Sequence, residues 1–169
     1  MDRLLDHIRE RTPAFDTIDV RRVVADAVAI AKAGAGGRGP QIAVVSDDMP
    51  IVVRADAIML RQVVLNLLNN ALDAVEGSGE ITVRTRSERK AIGVVRAVVS
   101  VSDTGHGVPP DQLSRVFEPF FTTKEVGHGV GLGLAICQSF IEQHGGTIHA
   151  DSPGIGQGMT VEFELPVEP

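Results

Sequence analysis

The chain has 169 residues, 43% of them hydrophobic and 22% charged, which is the composition of one ordinary globular domain. Its 16 basic and 22 acidic residues leave a formal charge of −6, and this acidic excess argues against broad nucleic-acid binding, which requires a basic surface. The single cysteine excludes an internal disulfide, and no apolar run approaches the roughly 18–20 residues of a membrane span, so we expect a cytoplasmic domain without direct membrane insertion.

Hydrophobic periodicity divides the chain into helices and strands, which glycine and proline separate. Asp19 stands directly before a helical run, where an N-cap is expected. In chain order the predicted elements are helix 2–11, helix 20–33, strands 41–46 and 51–54, helix 56–75, strands 80–88 and 92–102, a short helix near 110–115, helix 130–144, and strands 147–151 and 158–165. Helices mixed with mostly hairpin-linked strands predict an α+β sandwich with helices on one face of the sheet.

A polar stripe runs along the predicted helix over 56–75. It consists of Gln62, Asn66, Asn70 and Asp73, whose spacing places them on one helical face. Asparagine is a poor residue for a helix interior, because its amide competes with the backbone for hydrogen bonds. The stripe therefore either faces solvent or presents oxygens to a hydrated cation. Mg²⁺ keeps several waters and takes few protein ligands, so one asparagine ligand fits this ion.

A strand-to-loop motif follows at residues 98–108. The predicted strand runs into Asp103, and Gly105 and Gly107 follow at alternate positions. A carboxylate at a strand end can accept a hydrogen bond from the exocyclic amine of a nucleobase, and glycines let the backbone approach a flat ring. Taken alone, this Asp-x-Gly-x-Gly pattern also fits a turn or a calcium-type loop.

Two further segments lie close together in the sequence. Three phenylalanines within residues 117–121 predict a small hydrophobic latch, after which Lys124 either reaches a phosphate or stays solvated. Residues 127–134 carry glycines at alternate positions directly before a helix, where free N–H groups and the helix dipole attract phosphate. This loop has neither the Walker pattern nor the dinucleotide-binding spacing.

Taken in this order, the four segments resemble the N box, first glycine box, F box and second glycine box of sensor histidine kinases. The resemblance covers nearly the whole chain and extends to residues 158–160, which are similar to the family's final Gly-x-Thr motif. It implies a Bergerat ATPase fold, a two-layer α/β sandwich with a mixed, mostly antiparallel sheet, which holds ATP between the asparagine helix and a lid. It also implies that residues 1–13 are the tail of an upstream dimerisation and phosphotransfer helix, and that 14–169 are the ATP-binding domain.

The resemblance further implies roles for individual residues. Asn70 matches the asparagine that ligates Mg²⁺, Asn66 assists at the phosphates and the metal, and Asp103 matches the acceptor of the adenine amine. Asn66 and Lys124 are the implied catalytic residues. The implied nucleotide-binding residues are Asn66, Asn70, Asp73, Asp103, Gly105, Gly107, Val108, Lys124, His128, Gly129, Val130, Gly131, Leu132, Gly133, Leu134 and Thr160.

Two features depart from the family pattern. Val130 stands where the family usually has threonine or serine, and none of the five histidines has the His-Glu or His-Asp context of the family's phosphoacceptor. We therefore expect a monomeric catalytic domain that transfers the γ-phosphoryl group of Mg-ATP to a histidine on a separate helical hairpin domain. A response regulator would be an indirect partner, and the parent protein can be membrane-anchored.

Two alternatives remain open at this point. A protein-serine kinase of the anti-sigma-factor kind shares the fold, although the latch at 117–121 counts against it. A degenerate module would hold nucleotide without transferring it. Related ATPases of the same fold carry a water-activating glutamate at the position of Asn66, so we expect ATP hydrolysis here to be very slow.

Overall fold

The structure is a computed structural model that describes residues 12–36, 39–123 and 130–168. Its helices are α1 (Val20–Gly34), α2 (Ala57–Ala74), α3 (Pro110–Leu113) and α4 (Gly133–Gln143), with a 3-10 turn at Ala91–Gly93. Its strands are β1 (Asp16–Asp19), β2 (Gln41–Ser46), β3 (Val52–Ala55), β4 (Glu80–Arg89), β5 (Val95–Asp103), β6 (Thr147–Asp151) and β7 (Met159–Pro166). Within the described ranges, no helix is long and apolar enough to cross a bilayer. The predicted helix over 2–11 lies outside these ranges, and so does most of the predicted tail at 1–13.

Five strands form the main sheet in the order β2-β4-β5-β7-β6, and β1 pairs with β3 in a separate two-stranded sheet. β2 runs parallel to β4, whereas all other pairs are antiparallel. The predicted α+β fold with a mixed, mostly antiparallel sheet is confirmed. β1 is not among the predicted elements. It is the partner of β3, with Ile18 opposite Val53, so β2 and β3 belong to different sheets although one turn links them.

The helices cover one face of the main sheet. Alternate side chains of its central strands are buried on that face, among them Ile81, Val83, Val99, Val101, Val161 and Phe163. The opposite face carries charged residues such as Arg86, whose guanidinium lies 3.0 Å from a carboxylate oxygen of Glu162. Because side chains alternate along a strand, the apolar core lies on the face that the helices cover, which matches the predicted sandwich.

Two aspartates begin the long helices: Asp19 as the sequence predicts, and Asp56, which caps its helix instead of being the predicted first residue of it. Oδ1 of Asp19 accepts the N–H of Arg21 at 3.1 Å and begins α1. Oδ1 of Asp56 accepts the N–H groups of Ile58 and Met59 at 2.9 and 3.0 Å and begins α2. These caps satisfy first-turn N–H groups that have no acceptor within the helix.

α2 and α4 lie antiparallel over the sheet. The first residue of α4, Gly133, meets the middle of α2 at Asn66, and His144 at its end meets Asp56 at the start of α2. Between these points the thiol of Cys137 packs against α2, and burial raises the pKa of this thiol to about 12. The thiol therefore stays protonated and serves as a small apolar side chain.

Candidate functional site

A cavity of about 260 Å³ opens between α2, the C-terminal end of β5 and the N-terminal end of α4. Most of its wall is apolar, and Phe121 of the predicted latch forms part of it. The predicted site residues in the wall are Asn70, Asp103, Gly107, Val108, Val130, Gly131, Leu132, Gly133 and Leu134. Segments that are distant in the sequence thus meet in one cavity, and all four motifs contribute to it.

The residues of the polar stripe on α2 lie in different environments. Asn70 lines the cavity. Asn66 lies outside the wall, where its side-chain oxygen accepts from Nε2 of Gln62 at 2.8 Å and its amide nitrogen is 3.5 Å from the carbonyl oxygen of Gly133. Asp73 is exposed and also lies outside the wall. Among the stripe residues, Asn70 alone is placed to hold an ion within the cavity.

Asp103 ends β5 as a half-buried carboxyl group in the cavity wall. Burial raises the pKa of this carboxyl above its ordinary value, while hydrogen bonds from the backbone of Gly105 and Met159 and the nearby His106 act in the opposite direction. The N–H of Gly105 donates to Oδ1 at 2.8 Å, although Gly105 itself is outside the wall. The carboxyl is thus oriented by the backbone, and its oxygens can accept a hydrogen bond from a ligand amine.

The backbone that follows Asp103 is clamped between two neighbouring segments. The N–H of His106 donates to the carbonyl of Ala74 at 3.2 Å, and the carbonyl of His106 accepts the N–H of Gly156 at 2.7 Å. Gly107 has φ of +65°, and a Cβ at this position would collide with the carbonyl oxygen of Gly154. Both the conformation and the close approach therefore require glycine here, which gives the cavity a rigid backbone wall.

Residues 130–134 are the part of the second glycine motif that the structure describes, and they form another wall of the cavity. The carbonyl of Gly131 accepts the N–H of Phe120 at 2.8 Å, and the φ of Gly131 is +71°. This left-handed residue explains why α4 begins at Gly133 rather than at the predicted residue 130. The side chain of Val130 is 69% exposed at the edge of the cavity. The predicted contacts Lys124, His128 and Gly129 lie outside the described residues.

The final motif places neighbouring residues on opposite faces of the sheet. The hydroxyl of Thr160 lies 2.8 Å from that of Ser102 on the face away from the helices, so Thr160 is not part of the cavity wall. Met159 lines the cavity instead, on the same face as Val161. Strand alternation is a signal in the sequence that would have selected Met159, but the motif comparison favoured the threonine.

Other wall residues were not assigned to the site from the sequence. They are Leu67, Ala71, Ala74, Val101, His106, Val116, Phe121, Thr122, Thr123, Met159 and Val161. Most are apolar, and hydrophobic periodicity marks such residues only as core. They line a cavity because α2, the end of β5 and the start of α4 leave a space between them, and hydrophobic periodicity does not report such a space.

The donor set suits a hydrated cation better than a fully protein-bound metal. Within the described ranges, no three His, Cys, Asp or Glu side chains cluster as metal ligands. One amide oxygen from Asn70 can contribute a single ligand to Mg²⁺, which takes its remaining oxygens from waters and phosphates. The residues present therefore fit this ion in the company of a phosphorylated ligand.

Comparisons with known proteins identify the family of this chain. The family model described as "Histidine kinase-, DNA gyrase B-, and HSP90-like ATPase" matches residues 55–169. The sensor histidine kinase ZraS of Klebsiella oxytoca is 36% identical over 167 residues, which are 99% of this chain and 35% of that protein. The chain therefore spans about a third of the length of the ZraS relatives that it matches.

Solved structures share the fold. Full-length ShkA in complex with AMPPNP matches with a TM-score of 0.79 and 28% identity, over 94% of this chain and 32% of that one. The histidine kinase ThkA in complex with the response regulator protein TrrA matches with a TM-score of 0.80 and 25% identity, over 99% of this chain and 46% of that one.

Proposed function

Since the chain belongs to the family of histidine kinase-, DNA gyrase B- and HSP90-like ATPases, we propose that it binds Mg-ATP and transfers the γ-phosphoryl group to a histidine on a separate helical domain. The observation that carries this proposal is that Asn70 and Asp103, from α2 and β5, line one cavity whose opposite wall is the N-terminal end of α4. The relatives' identity as sensor histidine kinases supports transfer to histidine.

The cavity suggests how the nucleotide would lie. The adenine amine would donate to Asp103, with the base against the apolar wall and the backbone at Gly107. The phosphates would extend toward Asn70 and the N–H groups at the start of α4, where the helix dipole favours negative charge. The AMPPNP complex of ShkA, which shares this fold, supports a nucleotide in this family's cavity. Lys124, His128 and Gly129 remain proposed contacts from the sequence alone.

The residues in the cavity would act by positioning and by charge neutralisation. Bound Mg²⁺ would supply neutralisation of the phosphate oxygens, with Asn70 as its protein ligand. The backbone at Gly131 and Gly133 would orient the terminal phosphate toward the incoming imidazole. A neutral imidazole nitrogen already carries a lone pair, so the chain needs no general base for phosphorylation of histidine.

The direct test is calorimetric titration of ATP into the protein, with Mg²⁺ and with EDTA. A helical hairpin domain that carries a phosphoacceptor histidine is then added in trans. We expect Mg²⁺-dependent binding, followed by an acid-labile phosphoryl group on the hairpin. Acid-stable phosphoserine would favour the anti-sigma-type kinase, and binding without transfer would favour the nucleotide-holding module.

Substituting Asn66 with glutamate is expected to raise ATP hydrolysis in the absence of an acceptor. The side chain faces the start of α4 at Gly133, and a carboxylate there would accept a proton from water, which an amide does not. An increase of about tenfold in phosphate release is expected, below the roughly 100-fold or more of a fully positioned general base, because Asn66 lies outside the cavity wall. Asn69→Glu, at an exposed position of the same helix, is the matched control. Equal hydrolysis in both variants would show that the missing base does not explain slow hydrolysis.

Two wider parts of the proposal concern the parent protein. Residues 1–13 would continue into an upstream dimerisation and phosphotransfer helix, and a response regulator would receive the phosphoryl group from the histidine. The complex of ThkA with TrrA supports the second point, because that histidine kinase binds a response regulator.

A further inference from the structure

Phe15, Asp56 and His144 form a cluster that we call the N-terminal junction. Asp56 precedes α2 and His144 follows α4, and they are 2% and 6% exposed. The ring of Phe15 meets the imidazole edge to face, with a centroid distance of 5.1 Å and an angle of 66°. The chain that arrives at residue 14 thus contacts both helices that border the cavity.

The hydrogen bonds of His144 assign its tautomer. Nδ1 lies 2.6 Å from the carbonyl oxygen of Phe140, which can only accept, so Nδ1 carries the proton. Nε2 lies 3.0 Å from the backbone N–H of Asp56, which can only donate, so Nε2 is unprotonated. The imidazole is therefore neutral, and it joins the end of α4 to the start of α2.

The carboxylate of Asp56 adds a third connection. While Oδ1 caps α2, Oδ2 accepts the N–H of Ala14 at 2.9 Å. A displacement of Ala14 and Phe15 would remove this hydrogen bond and the ring contact with His144. The Asp56 carboxylate and the His144 imidazole would then each lose a contact at the same time. The contacts of the N-terminal junction therefore form or break together.

The two helices connect the junction to the cavity. α4 has 11 residues and so spans about 16 Å at a rise of 1.5 Å per residue. At its far end Gly133 lines the cavity and lies next to Asn66, and Asn70 follows one turn later on α2. Packed helices move as stiff bodies, so a shift at the junction reaches both walls of the cavity.

We propose that the N-terminal junction is a positioning device, in which docking of Phe15 on His144 and nucleotide binding in the cavity favour each other. The device would let the chain upstream of residue 14 set the geometry of the nucleotide site. It rests on the proposed function, because it requires that the cavity bind Mg-ATP. Phe15 and His144 are positioning residues, since neither lines the cavity.

Coupling between two sites is reciprocal, and this permits a test that a merely structural contact would fail. Hydrogen exchange of the Ala14 amide, measured by NMR, reports how often the junction opens. Saturating Mg-ATP is expected to slow this exchange by about fivefold or more. The control is the Lys90 amide, which donates to Val94 at 2.8 Å in a distant hairpin and should not respond. Unchanged exchange of Ala14 at saturation would overturn the proposal.

The same coupling must appear in nucleotide affinity. We expect Phe15→Ala to weaken ATP binding by about three- to tenfold, whereas Ile30→Ala, on the exposed side of α1, should leave it unchanged. His144→Gln keeps one acceptor and one donor and should retain affinity, whereas His144→Leu should lose it. Adding Phe15→Ala to His144→Leu should then cause no further loss. Fully additive losses would overturn the coupling.

The experiments distinguish a failure of the proposed function from a failure of the proposed coupling. If the wild-type protein does not bind Mg-ATP, the proposed function fails and the coupling falls with it. If it binds Mg-ATP while Ala14 exchange and the Phe15→Ala affinity are unchanged, the coupling alone fails.

Discussion

Asp103→Asn is expected to weaken ATP binding by about 10- to 100-fold, because it removes a charged acceptor worth some 1.5–3 kcal/mol. In the wild-type protein Oδ1 accepts the N–H of Gly105 at 2.8 Å, and the second carboxylate oxygen can accept from the adenine amine. An asparagine that keeps the bond to Gly105 presents its NH₂ group to that amine, and two donors then face each other. Calorimetry with ATP and Mg²⁺ measures the change.

The same substitution is expected to leave the melting temperature unchanged or higher at neutral pH. Burial raises the pKa of Asp103 in the folded protein above its unfolded value. Its ionised form is therefore less favourable in the folded state, and this penalty is present above the folded pKa and disappears as the pH falls through it. The neutral amide lacks the penalty. A large fall in melting temperature would mean that the Asp103 carboxylate stabilises the folded state instead of binding the ligand.

Thr160→Ala is the matched control for Asp103. Thr160 was assigned to the site from its motif, but its hydroxyl contacts Ser102 on the other face of the sheet. We therefore expect this variant to bind ATP with wild-type affinity. If Thr160→Ala lost affinity as strongly as Asp103→Asn, the position of the base in the cavity would have to be revised.

Asn70→Ala is expected to abolish the effect of Mg²⁺ on ATP binding and to reduce transfer to histidine by at least about 100-fold, the scale seen when a single preorganised stabilising group is removed. Asn70 is the stripe residue in the cavity wall, and its amide oxygen is the proposed protein ligand of the ion. Titrations with Mg²⁺ and with EDTA should give nearly the same affinity for this variant. Transfer is measured with the hairpin domain in trans.

Asn69→Ala separates the loss of the ligand from general damage to α2. Asn69 is exposed and adjacent in sequence, so its removal changes helix propensity in the same way without touching the cavity. It should keep both Mg²⁺ dependence and transfer. Retained Mg²⁺ dependence in Asn70→Ala would instead direct attention to Asn66, which would then have to leave Gly133 to reach the ion.

The features that depend on a short segment of the chain are predictable from its amino-acid sequence. Asp19 is predictable as an N-cap because a short acceptor before a helical run satisfies the first N–H groups wherever the helix packs. The strand that runs into Asp103 was recognisable because alternation and the glycines that follow are properties of a short segment. The order of the motifs was sufficient to predict the family, which the comparisons confirm.

Which side of each element meets the cavity depends on packing between elements and cannot be predicted from any one segment. Helical spacing places Asn66, Asn70 and Asp73 on one face, but packing against α4 turns Asn66 toward Gly133 and leaves Asp73 exposed. Strand alternation places Met159 with the core residues of β7 and Thr160 on the other face, but only the packing of α2 and α4 leaves a cavity beside Met159.

The contacts between distant segments could not be predicted from the sequence either. β1 forms because β3 is available as its partner, and His144 becomes a neutral bridge because Asp56 lies beside it. Such pairings depend on the closure of long loops and on the competition between partners, and neither is encoded in the periodicity of a single segment.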